Sequence, residues 1–290
     1  MSWSEAFKRK ILNPNRGYFC RPSFFPVFVI FLFSIFVGYA VAGAHPLSVH
    51  FIDVGYGDCI FVELPDGRNL LMDAGGHAHA ARLTSYLRSL NVSEITTAII
   101  THPHTNHFEG FFDVLKKFPI RRVFINGDTR AEDGYNALLA EFRRLNIPIK
   151  VLKQGNRIKL GRGVILDVLH PQRFEDHSAN GASLVTRLRY KETAFLLTAD
   201  IESVEQDMLL KQFPQIMDSV CIKIPHHGGP LSGEFIKSFR GKTFVVSTGE
   251  NSWGWPKEEE LRKLEGNIYR TDRDGTVTIE SDGKSIQVIP

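Results

Sequence analysis

From residue 49 onward, short apolar runs alternate with stretches whose apolar positions recur every three to four residues, so strand-like and helix-like segments follow one another. Residues 51–54, 59–64 and 69–72 are predicted strands, joined by glycine-rich and Pro-Asp-Gly turns into an opening meander. Helices are predicted over 80–90, 110–118, 131–145, 201–213, 233–239 and 256–264, with strands near 97–100, 122–125, 164–169, 183–188, 194–198, 219–224 and 243–246 between them. The tail returns to strand at 267–270, 276–280 and 285–289, with Asp282-Gly283 as a hairpin turn. Meanders at both ends imply antiparallel flanks. This order therefore fits an α/β fold of two mixed sheets, each covered by helices on its outer face, better than a doubly wound sheet. With no internal repeat or linker after residue 45, residues 45–290 are expected to form one continuous domain.

The front of the chain has a different pattern. Residues 23–44 carry no charge and, at about 1.5 Å per residue in a helix, reach roughly 33 Å, enough to cross a bilayer core. Before them, residues 1–22 hold Lys8, Arg9, Lys10, Arg16 and Arg21 against Glu5 alone, whereas the next cation is Arg68. The positive-inside bias then places the N-terminus in the cytoplasm and the large domain outside the membrane. Ala42-Gly43-Ala44 has the small-residue spacing of a signal-peptidase site, so cleavage after Ala44 and secretion is the alternative to a single-pass anchor. The apolar run exceeds the usual h-region of about 7–15 residues, which favours the anchor.

The formal net charge of +3 comes from that basic front, and the remainder is close to neutral. A local basic stretch, Arg143, Arg144, Lys150, Lys153, Arg157, Lys159 and Arg162, reads either as a solvated surface or as a track for a phosphate backbone. Cys20 precedes the apolar segment, and Cys59 and Cys221 lie inside apolar runs, so no disulfide framework is expected. Cys59 and Cys221 read as core residues, with a bridge between neighbouring strands left open.

The chemistry concentrates at strand ends. His102-Pro-His104-Thr-Asn106-His107 places three imidazoles in six residues just after the apolar run at 97–100. Imidazole is a common ligand for divalent transition metals. Asp200 follows Leu196-Leu197-Thr198-Ala199, and His226-His227 follows Ile224-Pro225, so ligands from three strand ends can converge on one centre. Asp53, Asp58 and Asp73, taken by themselves, read as turn aspartates bonding their own backbone. His170, before Pro171, reads as a turn histidine or a further ligand, and Asn180 and Ser183 as phosphate contacts or as part of an Asn-Gly turn.

With these residues in place, the chain resembles the metallo-β-lactamase superfamily, and within it the extracytoplasmic hydrolase domain of ComEC-type competence DNA-uptake proteins. The resemblance covers nearly all of residues 47–282. It rests on the segments at 51–58, 72–76, 102–107, 180–185, 197–202, 224–228, 251–256 and 269–272, specific in number and order although each is weak alone. It implies a four-layer αββα sandwich with an active site at the sheet edges holding one or two Zn or Mn ions. His102 and His104 would hold the first metal, His107 and His226 or His227 the second, and Asp200 would bridge them. Asp200, Asp73 and Asn106 would serve catalysis, Asn180 and Ser183 would contact substrate, and Asp53, Asp58 and Asp73, which match family positions, would orient ligands or bound water, Asp73 the strongest of the three. The implied reaction is metal-assisted hydrolysis of a phosphodiester, with DNA outside the membrane as the candidate partner.

Three positions depart from the family pattern. Asn106 stands where an aspartate is usual, and its neutral amide is a weaker ligand than a carboxylate. Glu109 stands in place of a second glycine, either replacing the lost carboxylate or favouring the dipole at a helix start. Trp255 stands where a late motif would supply a histidine, and indole neither ligates metal nor shuttles protons. The departures keep open a second reading, a catalytically degenerate module that binds DNA or an envelope partner. A lactamase or thioester hydrolase on the same scaffold is the third.

Overall fold

The computed structural model describes residues 45–128, 130 and 133–289, so the basic N-terminus and the predicted membrane or signal segment lie outside the described residues. Among the described residues no helix is long and apolar enough to cross a membrane. In chain order the elements are β1 (Leu47–Phe51), β2 (Ile60–Glu63), β3 (Asn69–Met72), α1 (Ala80–Ser89), β4 (Thr97–Ile100), α2 (Thr105–Phe108), α3 (Phe111–Lys117), β5 (Val123–Ile125), α4 (Asp133–Arg144), β6 (Ile149–Val151), β7 (Arg157–Gly161) and β8 (Val164–His170). There follow β9 (Val185–Tyr190), β10 (Thr193–Leu197), α5 (Ser203–Gln212), β11 (Cys221–Lys223), α6 (Gly233–Ser238), β12 (Lys242–Val246), α7 (Glu258–Leu261), β13 (Gly266–Arg270), α8 (Thr271–Asp274), β14 (Val277–Ser281) and β15 (Ile286–Ile289).

These strands form two mixed sheets, ordered β15-β14-β1-β2-β3-β4-β5-β6 and β13-β12-β11-β10-β9-β8-β7. In the first, β3 through β6 run parallel and the rest antiparallel; in the second, β10 through β13 run parallel. Side-chain alternation then sorts the strands into layers. Ile60, Val62, Leu70 and Met72 of the first sheet share one buried cluster with Phe195, Leu197, Cys221 and Val245 of the second. That cluster is the core between the sheets. The residues between them face the other way: Phe61 and Leu71 pack with Leu83, Phe111 and Phe142 of α1, α3 and α4. On the far side, Leu196, Ile222, Phe244 and Val246 pack with Leu209, Phe235 and Leu261 of α5, α6 and α7. Three cores separate four layers, helix, sheet, sheet, helix, as the resemblance implies.

The differences from the sequence reading have physical causes. The first strand lies at Leu47–Phe51, earlier than predicted, because Asp53 turns the chain: its Oδ1 accepts from Gly55 N at 3.0 Å. Strands β6 and β7 were not predicted. Each is a short sheet edge whose exposed Lys150 or Arg157 interrupts the apolar run, leaving only Ile149 in β6 and Ile158 and Leu160 in β7 to face a core; charged, short edge strands also discourage pairing with other chains. Cys59 and Cys221 are buried and free, one packed in the helix-facing core and the other between the sheets, so the bridge left open by the sequence does not form.

Candidate metal centre

The parallel strands end on common ground. Asp73 follows β3, Thr101 and His102 follow β4, Asp200 follows β10, His226 and His227 follow β11, and Ser247 follows β12. Ligand sites outside the carboxyl ends of parallel strands are the general rule for α/β sheets. Backbone bonds lock the loops there: Ala74 N donates to His107 O at 2.8 Å, Leu184 N to Thr101 O at 3.0 Å, and His226 N to Ala199 O at 3.0 Å. Gly57, at φ +148°, lets the 55–58 loop press onto the histidine loop; a Cβ there would lie 2.2 Å from Asn106 O.

Three imidazoles point one nitrogen at Asp200 and anchor the other. His107 Nε2 lies 3.1 Å from Asp200 Oδ2, His227 Nε2 3.2 Å and His102 Nε2 3.8 Å. Behind them, His107 Nδ1 meets Asp73 Oδ2 at 2.8 Å and His227 Nδ1 donates to Ser247 O at 2.8 Å. His102 Nδ1 meets Thr101 Oγ1 at 3.1 Å, and because that hydroxyl donates to Asp73 Oδ2 at 2.7 Å it accepts from the imidazole. Each anchoring bond holds a proton on Nδ1, so that the ring, once neutral, presents Nε2 as a lone pair, the tautomer a metal ligand requires. His102, His107 and Asp200 place donor atoms within 4.8 Å of one another, as do Asp58, Asp200 and His227. Asp200 Oδ1 is buried with no hydrogen-bond partner. Imidazole and carboxylate donors, anchored from behind and left with unmet acceptor capacity, fit a divalent transition metal.

His226 and His227, the alternatives for one ligand position, take different places. Both sit in left-handed backbone, at φ 52° and 55°, which turns their rings in different directions. His227 is buried at the centre, whereas His226 is partly exposed, 3.9 Å from Asp200 Oδ2 and 3.3 Å from Asn180 Nδ2. His104 lies beside His102, Nδ1 to Nε2 at 3.0 Å, and Asn106 Nδ2 reaches His227 Nε2 at 3.0 Å. A cavity of about 470 Å³ opens over this group, lined by Tyr56, His104, Asn106, Asn180, His226 and Trp255 among others.

Several expected residues serve elsewhere. Ser183 is buried, and its hydroxyl accepts from Asp200 N at 3.3 Å, so it holds Asp200 in place instead of facing the cavity. Asp73 spends both oxygens on Thr101 and His107, and so positions a ligand from behind. Asp53 binds its own turn and pairs with Arg82. Glu109 accepts from His77 N at 3.1 Å, away from Asp200. His170 is buried with Nε2 donating to Gly181 O at 2.6 Å and its ring against His177. The basic stretch is scattered over α4, β6 and β7, with Arg144 paired to Glu141 and Arg157 to Asp167.

Lys223 was missed. Its ammonium is fully buried, 2.5 Å from Asp58 Oδ2 and 3.6 Å from Asp200 Oδ1, and it donates to Ala199 O at 3.0 Å. A lysine inside Cys221-Ile222-Lys223-Ile224, in phase with inward-facing Cys221, was the available signal. Burial alone would raise the Asp58 carboxyl, but Lys223 and His227 outweigh it and hold it below the usual carboxylate range. Burial would likewise lower His107, yet Asp200 and Asp73 raise it to about 10. His102 is driven down by burial and by the neighbouring His107. Burial, then Asp200 and Asp58, pushes the Tyr56 phenol up, so it stays a hydrogen-bond donor.

A family model described as the metallo-beta-lactamase superfamily matches residues 52–219. The chain is 26% identical over 253 residues to ComE operon protein 3 of Bacillus subtilis (strain 168), covering 79% of this chain and 32% of that protein. It is 23% identical over 273 residues to competence protein ComA of Neisseria gonorrhoeae, covering 90% of this chain and 36% of that protein. The chain thus spans about a third of the length of these curated relatives. Among solved structures, CmlA, a diiron beta-hydroxylase from Streptomyces venezuelae, aligns with a TM-score of 0.53 at 15% identity, covering 81% of this chain and 54% of that one, a likeness of fold alone.

Proposed function

Because this chain belongs to the metallo-beta-lactamase superfamily, we propose that it is a metal-dependent hydrolase whose reaction is cleavage of phosphodiesters, with DNA as the candidate substrate. The observation that supports this most is the convergence of His102, His107 and His227 on Asp200 Oδ2 with each Nδ1 anchored. These residues, with His104 beside them, would hold one or two Zn or Mn ions. A divalent ion there supplies Lewis acidity, acidifying an attacking water and drawing charge from the phosphoryl oxygens.

The chain's own groups would do the rest. Ser183 and Lys223 hold Asp200, the first through its backbone N–H and the second beside Oδ1. Tyr56, a neutral phenol lining the cavity, would donate to a substrate oxygen. His226 is lowered by burial, only partly countered by Asp200, so its ring is neutral and Nε2 accepts from Asn180 Nδ2 at 3.3 Å. Asn180 would orient that imidazole, and its buried, unpartnered Oδ1 offers an acceptor to substrate or water.

The test is elemental analysis of the purified chain, followed by hydrolysis of bis(p-nitrophenyl) phosphate and of single- and double-stranded DNA with added Zn or Mn. His102→Ala and Asp200→Ala should each abolish cleavage; a wild type no faster than these variants would reject the proposal. Asn106 favours a second reading, a non-catalytic module binding DNA or an envelope partner. Asn106→Asp separates the two, since a marked gain in metal content and turnover would identify a decayed enzyme. On the sequence alone, residues 23–44 would anchor the domain outside the membrane, and protease protection in spheroplasts checks that orientation.

A further inference from the structure

The mouth of the cavity is built of tryptophan. Trp253 is 69% exposed, an unusual state for the largest apolar side chain, and its ring stacks with that of Trp255, centroids 6.3 Å apart and planes 29° from parallel. Trp255 in turn meets the His226 ring edge-on at 4.4 Å. The loop carrying both indoles is held by one side chain. Asn251 Oδ1 accepts from Trp253 N at 3.0 Å and Trp255 N at 3.2 Å, while Nδ2 donates to Gly249 O at 2.8 Å and Trp255 O at 2.6 Å. A second cavity of about 320 Å³ on the other side shares His226 and Trp255 and continues over Val204 and Pro230, so the indole of Trp255 stands between two hollows.

We propose that Trp253 and Trp255 form a stacking subsite for a nucleobase flanking the scissile phosphate, which makes single-stranded nucleic acid the preferred substrate class; this rests on the phosphodiesterase reading above. A flat, uncharged, solvent-facing surface beside a centre suited to phosphate matches the two halves of a nucleotide, base and phosphodiester. Stacking on indole is indifferent to base identity, because every base presents a π-face. It requires an unstacked base, which a single strand offers and an intact duplex does not.

Trp3, Trp253 and Trp255 are the chain's three tryptophans, so with Trp3→Phe its tryptophan fluorescence reports on the subsite alone. Titrated in EDTA, which prevents metal-dependent cleavage, octathymidylate should quench this emission. An abasic oligomer of the same length should need about five- to a hundred-fold more to half-saturate, the range expected for stacking one base. Trp253→Ala, exposed and safe for folding, should weaken octathymidylate by a similar factor while Trp253→Phe restores it. Equal affinity for the abasic and thymidylate oligomers, or Trp253→Ala binding as wild type, would overturn the subsite. Quenching by thymidylate in a metal-loaded protein that hydrolyses no phosphodiester would uphold the subsite and reject the hydrolase. Hydrolysis of bis(p-nitrophenyl) phosphate with no base-dependent binding would do the reverse.

Discussion

Asp73→Asn should disarm the metal centre without touching a metal ligand. In the native protein Asp73 Oδ1 accepts from Thr101 N at 2.8 Å, and Oδ2 accepts from Thr101 Oγ1 at 2.7 Å and from His107 Nδ1 at 2.8 Å. An amide has one acceptor oxygen where the carboxylate has two. If that oxygen stays on Thr101 N, the NH₂ group faces His107 Nδ1, which must then accept. The ring proton moves to Nε2, the atom aimed at Asp200 Oδ2, and its lone pair is lost to the metal. If the amide flips, two donors face each other at Thr101 N in a site 1% exposed, at a cost of about 1–3 kcal/mol. The first arrangement is the cheaper, so the loss appears in metal binding. A tenfold to hundredfold weakening is expected for a broken ligand-orienting bond, equivalent to about 1.4–2.7 kcal/mol. Competition for Zn against a chromophoric chelator at pH 7.5 measures it, with circular dichroism checking that the fold persists. An affinity within threefold of wild type in a folded Asp73→Asn protein would refute the tautomer reasoning.

Metal binding should also be linked to protons. In the metal-free protein the raised His107 is protonated at neutral pH, so an incoming ion must displace that proton, and affinity should tighten about tenfold per pH unit towards pH 10. Calorimetry in buffers of different ionisation enthalpy should find at least one proton released per ion; none released would contradict it. The same shift stabilises the metal-free fold fully below the unfolded histidine pKa of about 6.5, and that contribution fades as pH rises through about 10. Lys223→Met strands the buried Asp58 carboxylate and should cost about 3–5 kcal/mol in urea unfolding, part of it recovered by adding Asp58→Asn; a neutral single variant would show the pair to be unimportant. Gly57→Ala drives a Cβ into Asn106 O and should cost about 2 kcal/mol or more, a fall of roughly 4–8 °C in Tm for a domain of this size, and an unchanged melt would mean that the loop yields freely.

The sequence alone determined the two mixed sheets, because the apolar alternation of the inner strands encodes which faces are buried, and it put the candidate ligands His102, His104, His107, Asp200, His226 and His227 just after strand-like runs. Parallel strands deliver their carboxyl ends to one edge, so residues placed just after them meet. The edge strands β6 and β7 escaped because each is short and charged, with only Ile149, or Ile158 and Leu160, turned to a core. Only the tertiary structure decided the rest. Consecutive left-handed residues turn His227 inward and His226 to the cavity, a dihedral choice invisible in a His-His pair. Ser183 faces Asp200 N, and Lys223 finds Asp58 from a strand far along the chain. Pattern along one strand fixes which side a residue takes; which partner it meets there depends on how two sheets, folded from distant segments, bring their ends together.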